Sequence, residues 1–212
     1  VPQLPARALH RLVAVRGLED SGDVLMHATG EQLRTVMDAD LWSGPGSAVA
    51  AALDAERFGQ WLQVLADASV ETAARQLQEI DRDLIIGAFA QHVGVCSRVT
   101  AERRGLLESA PTWECGAVIV WARREDAWDA IATLLAHMQG AHPQWLSGLL
   151  AACRELSYEH LEEASGFDVL LGRRQQMLHD LASAREQRRG RLGPRRRARC
   201  RAAAEGTTGR RG

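Results

Sequence analysis

The sequence has 212 residues and carries 26 basic and 27 acidic side chains, which gives a formal net charge of −1. Apolar residues make up 46% of the chain, enough for the core of one domain, and this excludes collagen-like, mucin-like and fully disordered proteins. The charge is divided unevenly: residues 1–172 have a net of −11 and residues 173–212 a net of +10, and every basic residue is Arg. We therefore predict an acidic domain followed by a basic C-terminal segment.

Helical periodicity dominates residues 1–95. Thr29 and Gln32 fit a capping box at the start of one helix, and Ser69 and Asp81 are predicted to cap two more. A wide apolar stripe at helical spacing lies between these caps, formed by Phe58, Trp61, Leu62 and Leu65. The helix that follows Asp81 is predicted to carry four apolar residues on its inner side, namely Leu84, Ile85, Phe89 and Val93.

Two pairs of similar segments recur along this helical region. The segment that begins at Val24 resembles the one that begins at Val64, and Asp38–Leu41 resembles Asp81–Leu84, with offsets of 40 and 43 residues. A period of this length is typical of helical-hairpin repeats in an α-solenoid. Two helical hairpins of similar length would also look alike by chance, so both interpretations stay open.

The helical period weakens in residues 96–124, where a β-rich run extends from Trp113 to Trp121. This run predicts a short β hairpin near 112–121, or one strand laid on the helices. Helical patterns resume in residues 125–192, and residues 193–212 are predicted to form an Arg-, Gly- and Ala-rich disordered tail. The predicted fold is therefore mainly all-α, an α-solenoid-like array of helical hairpins with a short β hairpin.

No segment predicts a secretory signal or a membrane helix. Ala130–Cys153 lacks formal charges for 24 residues, but His137 and His142 lie near its centre, where a bilayer disfavours polar groups. Two soluble helices that meet at a turn explain this span better. The four cysteines form no CxxC pair, which is typical of a reduced compartment. We therefore predict a soluble, cytoplasmic protein that does not enter the membrane.

The sequence contains none of the common catalytic or cofactor-binding patterns. It has no HExxH, no two-plus-two zinc spacing, no GxSxG, no P-loop and no GxGxxG after a strand. His92 and Cys96 lie four residues apart on a predicted helix end, which is not by itself a zinc pattern. We therefore predict a non-enzymatic protein without a cofactor.

Two pairs of carboxylates are the candidate ligands for a divalent cation, Asp38 with Asp40 and Asp81 with Asp83. Oxygen ligands suit Mg²⁺ and Ca²⁺, and carboxylate pairs also serve in acid–base catalysis. Their predicted positions at helix ends favour a role as caps and dipole partners. Trp42, next to the first pair, is either a partner-facing anchor or a lid on the core.

The basic tail has three interpretations. A polycation of this kind can hold nucleic-acid phosphates, without base specificity because the segment lacks aromatic residues. The second interpretation is a solvated disordered tail. The third is a frameshift or truncation, since 16 of residues 193–212 are Arg, Gly, Ala or Pro, whose codons are rich in G and C. The candidate nucleic-acid-binding residues are Arg195, Arg196, Arg197, Arg199 and Arg201.

Much of residues 4–193 resembles a bacterial family of uncharacterised, mostly helical proteins with a domain of unknown function. The likeness rests on Leu4-Pro5, Gly17–Asp20, Ala28–Leu33, Asp38–Trp42 and the charged stretch Arg185–Arg189 with Leu192-Gly193. The resemblance implies no catalytic residues. It implies a further ordered helical segment after Gly193, where this chain has its Arg-rich string. The short paired helices are also similar to the cytosolic N-terminal superhelical domain of MgtE-type magnesium transporters, which speaks to fold alone.

These observations predict a helical scaffold that mediates protein–protein interaction with an unidentified protein or peptide. One alternative is a divalent-cation-responsive regulatory domain that uses the four aspartates. The other is nucleic-acid binding through the Arg-rich tail. A concave apolar or acidic groove in the structure would favour the scaffold.

Overall fold

The described residues fold mainly as helices, together with a small three-stranded antiparallel sheet. The computed structural model describes the backbone of residues 1–43, 52–156 and 166–192, with the side chains of 1–42, 53–156 and 175–188. The helices of these residues are α1 (Ala6–Arg16), α2 (Gly22–Leu25), α3 (Gly30–Asp40), α4 (Ala55–Glu79), α5 (Arg82–His92), α6 (Arg98–Arg103), α7 (Leu106–Ser109), α8 (Trp128–Ala141), α9 (Pro143–Glu155) and α10 (Gly166–Leu192). The strands are β1 (Trp42–Ser43), β2 (Ala52–Leu53), β3 (Val93–Ser97), β4 (Thr112–Cys115) and β5 (Val118–Ala122).

The helix starts follow from side-chain caps, as predicted. Thr29 Oγ1 accepts the Gln32 amide and Gln32 Oε1 accepts the Thr29 amide, which confirms the capping box of α3. The Asp81 carboxylate accepts the amides of Asp83 and Leu84 at the start of α5. Ser69 has a non-helical backbone within α4, and its Oγ accepts the Thr72 amide at 3.2 Å. Ser69 therefore caps the second of two helical stretches that meet at a bend.

The sheet has the strand order β3-β5-β4, with both pairs antiparallel. Strands β4 and β5 form the predicted hairpin, and Gly116 between them has φ +60°, a conformation that favours glycine. Strand β3 corrects the prediction that helix α5 continues through Val93 and Cys96. The helix ends at His92, and Val93–Ser97 pairs along its whole length with β5.

The physical reason for this correction lies in the residues of β3 and their neighbours. Val93, Gly94, Val95 and Cys96 are all buried, so the strand packs on both faces, as β-branched residues favour. A Cβ at Gly94 would collide with the indole of Trp121 on β5, which shows that the ring lies directly over this glycine. The strand therefore depends on a partner that lies more than 20 residues further along the chain.

One hydrophobic core extends through the three predicted segments, from Leu9 to Ala182. The predicted apolar stripe of α4 lies in this core, since Phe58, Trp61 and Leu62 have no exposed surface. Phe58 contacts Phe89 edge to face, with 5.8 Å between ring centroids. Strand β3 spans residue 95, the predicted end of the first segment.

The segments that resemble each other occupy different positions in the fold. Val24 lies in the four-residue α2, whereas Val64 lies within the 25-residue α4. Asp38–Leu41 is at the end of α3, whereas Asp81–Leu84 is at the start of α5. The architecture is mainly helical with a small sheet, and a helical repeat stays a prediction.

The uncharged span Ala130–Cys153 folds as two helices, as predicted. Helix α8 ends at Ala141 and α9 begins at Pro143, with His142 between them. The apolar residues of both helices face the core, so they account for the hydrophobicity of the span. Of the helices in 1–43, 52–156 and 166–192, none has the length and apolar character to cross a bilayer.

Candidate functional site

A concave surface lined by carboxylates lies where α2 and α4 meet the start of α8. We call it the acidic groove. Its volume is about 780 Å³, and Gln63, Val64 and Ala68 of α4 form part of its lining. Gly22 of α2 packs against α4, since a Cβ at this position would lie 3.4 Å from Ala68 Cβ. The carboxylates of the acidic groove are Glu19, Asp20, Asp23, Asp67, Glu125, Asp126 and Asp129.

Most of these charges are unbalanced. Asp23 pairs with Arg16 at 3.0 Å, and Asp126 pairs with Arg124 at 2.9 Å. Within the described part of the chain, the other five carboxylates have no ion pair, and all of them are exposed. Several like charges on one concave surface produce a negative potential that attracts cationic groups.

Asp126 is the most firmly positioned carboxylate of the groove. The Arg124 guanidinium donates hydrogen bonds to both of its oxygens, at 2.9–3.3 Å. These bonds hold the pKa of the Asp126 carboxyl below its ordinary value, so Asp126 is ionised at neutral pH. Gln63 of α4 donates to the Asp126 backbone carbonyl, which ties this loop to the groove floor.

His92 lies beneath Asp126, with no exposed surface. Its Nε2 lies 2.8 Å from the carbonyl oxygen of Ala55, and because a carbonyl can only accept, Nε2 carries the hydrogen. Its Nδ1 has no hydrogen bond among the described residues and lies 3.8 Å from Asp126 Oδ1. Burial is the main reason why the pKa of His92 is lowered, although the bond to Ala55 and the charge of Asp126 oppose it. His92 is therefore a neutral structural residue, without an open face for a substrate.

Three cysteines lie in the described part of the chain, and two of them are buried. Burial raises the pKa of the Cys153 thiol to about 12, so this thiol is not ionised at neutral pH. Cys96 is buried on β3. Cys115 is half-buried beside an apolar cleft of about 510 Å³ between the sheet and α9, and its Sγ lies 3.6 Å from Gln139 Nε2.

The structure brings two of the four predicted cation ligands together, but around an arginine. Arg188 of α10 binds both oxygens of Asp38, at 2.9 and 3.0 Å, and its Nη1 lies 3.6 Å from Asp81 Oδ2. Arg185, one turn earlier, donates to the Asp38 backbone carbonyl at 2.7 Å. We call these four residues the arginine clasp.

The other two aspartates lie elsewhere. Asp40 accepts hydrogen bonds from Arg57 Nε at 2.8 Å and from Trp61 Nε1 at 2.7 Å, while Asp83 is exposed in the first turn of α5. In the described ranges, no three His, Cys, Asp or Glu residues are grouped so that they could hold a metal ion. The divalent-cation interpretation therefore has no geometric support from these residues.

Trp42 lies under the arginine clasp. It is 8% exposed, and the Arg185 guanidinium lies over its ring at 5.3 Å from the centroid. Trp42 is therefore covered by α10, and its predicted role as a partner-facing anchor or a core lid stays open. The five arginines predicted to bind nucleic acid, Arg195 to Arg201, lie outside the described residues.

The acidic groove was not among the predicted sites. Its one sequence signal is the net charge of −11 over residues 1–172. The groove takes carboxylates from segments between residues 19 and 129, and their convergence depends on the packing of α2 and α8 against α4.

Comparison with known proteins identifies the family to which this chain belongs. Residues 1–173 match the model of DUF6178, a family of unknown function. The chain belongs to the DUF6178 family. The match confirms the predicted membership of a family of unknown function, and it ends at residue 173, whereas the predicted likeness reached residue 193. No curated protein and no solved structure matches this DUF6178 chain, and the MgtE-like fold stays a prediction.

Proposed function

We propose that this DUF6178 chain is a non-enzymatic interaction scaffold whose acidic groove binds a basic segment of a partner protein. The observation that carries the proposal is the set of five exposed carboxylates that have no ion pair within the described part of the chain, on one concave surface of about 780 Å³. Arg and Lys side chains of a partner would supply the missing positive charges through charge-assisted hydrogen bonds.

The charge pattern of the groove favours a basic polypeptide over the other predicted partners. Nucleic-acid phosphates would be repelled by the seven carboxylates. A divalent ion needs several oxygen ligands within 2.0–2.6 Å, and the described carboxylates are not grouped in that way. An extended peptide places alternate side chains about 7 Å apart on one face, so it can contact several separated carboxylates at once.

The electrostatics also predict how strong such binding is. An exposed ion pair contributes only about 0–1 kcal/mol, because both groups are well hydrated when apart. Affinity therefore requires several pairs together and decreases as salt screens them.

The three free thiols among the described residues support a cytoplasmic location for this scaffold.

The proposal is tested with fluorescein-labelled nona-arginine as the probe, by anisotropy in about 50 mM NaCl. The variant Asp20→Asn/Asp67→Asn/Asp129→Asn removes three groove charges from exposed positions without removing any ion pair of the described residues. We expect its affinity for the probe to fall on the order of tenfold.

The matched control is Glu31→Gln/Glu71→Gln/Glu108→Gln, which removes three exposed carboxylates outside the groove. This control has the same net charge as the groove variant, so general attraction to an acidic protein changes equally in both. Equal losses of affinity in the two variants, or no binding by the unmodified chain, would show that the groove is not the binding surface.

A further inference from the structure

The described side chains of helix α10 contact the rest of the protein through a small apolar cluster and through the arginine clasp. Of its side chains 175–188, only Leu181, Ala182 and Arg185 are buried. Gly87 of α5 faces the helix, since a Cβ at that position would lie 3.4 Å from Leu181 and 3.5 Å from Met177. The polar contacts of the helix include those of the arginine clasp, which are electrostatic and are weakened by salt.

Helix α10 does not pack closely against the start of α5. A cleft of about 470 Å³ separates it from the start of α5, and Asp180 of α10 shares this cleft with Asp81 and Asp83. Three carboxylates in one cleft repel each other, and Arg188 contacts only Asp81 among them. Below the helix, Trp42 Nε1 is buried and has no acceptor in the described residues. A buried N–H without an acceptor destabilises the arrangement that leaves it so.

The surface that α10 covers lies within the residues matched by the family model, whereas the docked part of α10 lies outside them. Asp38, Trp42, Asp81 and Gly87 all lie within the matched residues 1–173, whereas the docked residues 177–188 of α10 lie beyond them. The family match therefore covers the residues of this surface and ends before the docked residues of α10.

We propose that the surface formed by Asp38, Trp42, Asp81 and Gly87 is a docking site for an amphipathic partner helix. Helix α10 occupies this surface in cis as an exchangeable competitor. The surface is independent of the acidic groove. The docked side chains of α10 define what the partner must carry: an apolar residue followed by Arg four and seven positions later, as Leu181, Arg185 and Arg188 are spaced. Residues at this spacing lie on one face of a helix.

Arginine suits both positions, and the bidentate contact with Asp38 requires it at the second. The planar guanidinium of Arg188 binds the two Asp38 oxygens at the same time, and that of Arg185 lies over the Trp42 ring while it donates to a carbonyl. A lysine ammonium cannot form the bidentate contact. A partner helix that also offers an acceptor to Trp42 Nε1 would make a contact that α10 lacks.

The test uses a fluorescent peptide of residues 175–192 as the probe and the full chain as the receptor. In the opened receptor, Arg185→Ala/Arg188→Ala, the docking surface is unchanged but the cis helix has lost its clasp. We expect this receptor to bind the probe at least about tenfold more tightly than the unmodified chain does, because the competing helix is weakened. Addition of Asp38→Asn to the opened receptor should abolish the binding.

Two control peptides separate docking from charge attraction. A peptide with Lys in place of both clasp arginines keeps the net charge but loses the bidentate contact, and we expect at least about tenfold weaker binding. A scrambled peptide keeps the composition and should not bind the surface specifically. The proposal is overturned if the opened receptor binds no probe, or binds the natural and Lys peptides equally.

Hydrogen exchange on the unmodified chain gives a second measurement if the opened receptor does not fold. We expect the amides of residues 177–188 to exchange through an opening that leaves the α4 amides protected. Protection of these amides as high as that of residues 58–65 would mean that α10 does not detach, and would overturn the proposal.

Discussion

The acidic groove and the arginine clasp are both built from carboxylates beside helix ends, but their charges are balanced differently. In the clasp, Arg188 contacts Asp38 and Asp81, and Arg185 binds the Asp38 carbonyl. In the groove, five of seven carboxylates have no cation among the described residues. Among the described residues, arginines thus neutralise the clasp, whereas five groove carboxylates have no cation partner.

Burial explains this difference. The Asp38 side chain is 14% exposed, and a carboxylate so poorly hydrated needs a paired cation. The unpaired groove carboxylates are exposed, so water solvates them and the fold requires no cation there. The clasp carboxylates consequently stabilise the packing of α10, whereas the groove carboxylates are available to a ligand.

The largest expected effect comes from a change in the core that both regions share. Phe58→Ala should destabilise the chain by about 3–5 kcal/mol, because the ring is fully buried and the variant leaves a cavity beside Phe89. Denaturant unfolding followed by tryptophan fluorescence measures this change. Val15→Ala, at an 89% exposed position, is the control and should shift the stability by less than about 0.5 kcal/mol. Similar losses in both variants would contradict the core assignment.

The second prediction addresses the two regions directly through one arginine from each. Arg188→Ala leaves Asp38 and Asp81 without their cation and should cost about 1–3 kcal/mol. Arg16→Ala breaks the pair with Asp23, whose side chains are 45% and 66% exposed, and should cost about 0–1 kcal/mol. Urea unfolding of both variants checks the order. A larger loss for Arg16→Ala would mean that burial does not explain the contrast.

The same contrast shows which parts of the structure could be predicted from sequence. The caps at Thr29, Ser69 and Asp81 depend on residues within three positions of each other, so local patterns were sufficient. The hairpin of β4 and β5 is local for the same reason. Strand β3 was predicted as helix because its strand character depends on pairing with β5, which lies beyond α6, α7 and β4.

Both acidic regions depend on distant contacts and were missed for the same reason. Arg188 meets Asp38 across 150 residues, which no periodic pattern reveals. The sequence correctly indicated that Asp81 is a helix cap, but not that it also faces Arg188. The excess of acidic residues predicted a negative domain without indicating which carboxylates converge.

A third prediction concerns pH and the groove edge. Burial lowers the pKa of His92 from its ordinary 6.5, so the unfolded chain binds a proton at this residue more readily than the folded chain does. The stability that neutral His92 contributes is therefore complete above pH 6.5 and is lost as the pH falls below that value. Melting temperatures of the unmodified chain and His92→Gln, compared between about pH 8 and pH 5, check this. The decline below pH 6.5 should be shallower in the variant, and identical declines would contradict the role of His92.

The smallest expected change in stability comes from a groove carboxylate. Its replacement should raise the stability, whereas replacement of a clasp carboxylate should lower it. Asp67→Asn removes an exposed groove carboxylate without an ion pair among the described residues, which relieves repulsion and should raise stability by up to about 0.5 kcal/mol. Asp38→Asn removes a paired carboxylate and should lower it. Affinity for nona-arginine should fall in Asp67→Asn and stay unchanged in Asp38→Asn. A residue that weakens binding when it is replaced, yet does not stabilise the fold, serves a ligand rather than the structure. If Asp67→Asn lowered stability as Asp38→Asn does, the groove carboxylates would have to be assigned to the fold instead.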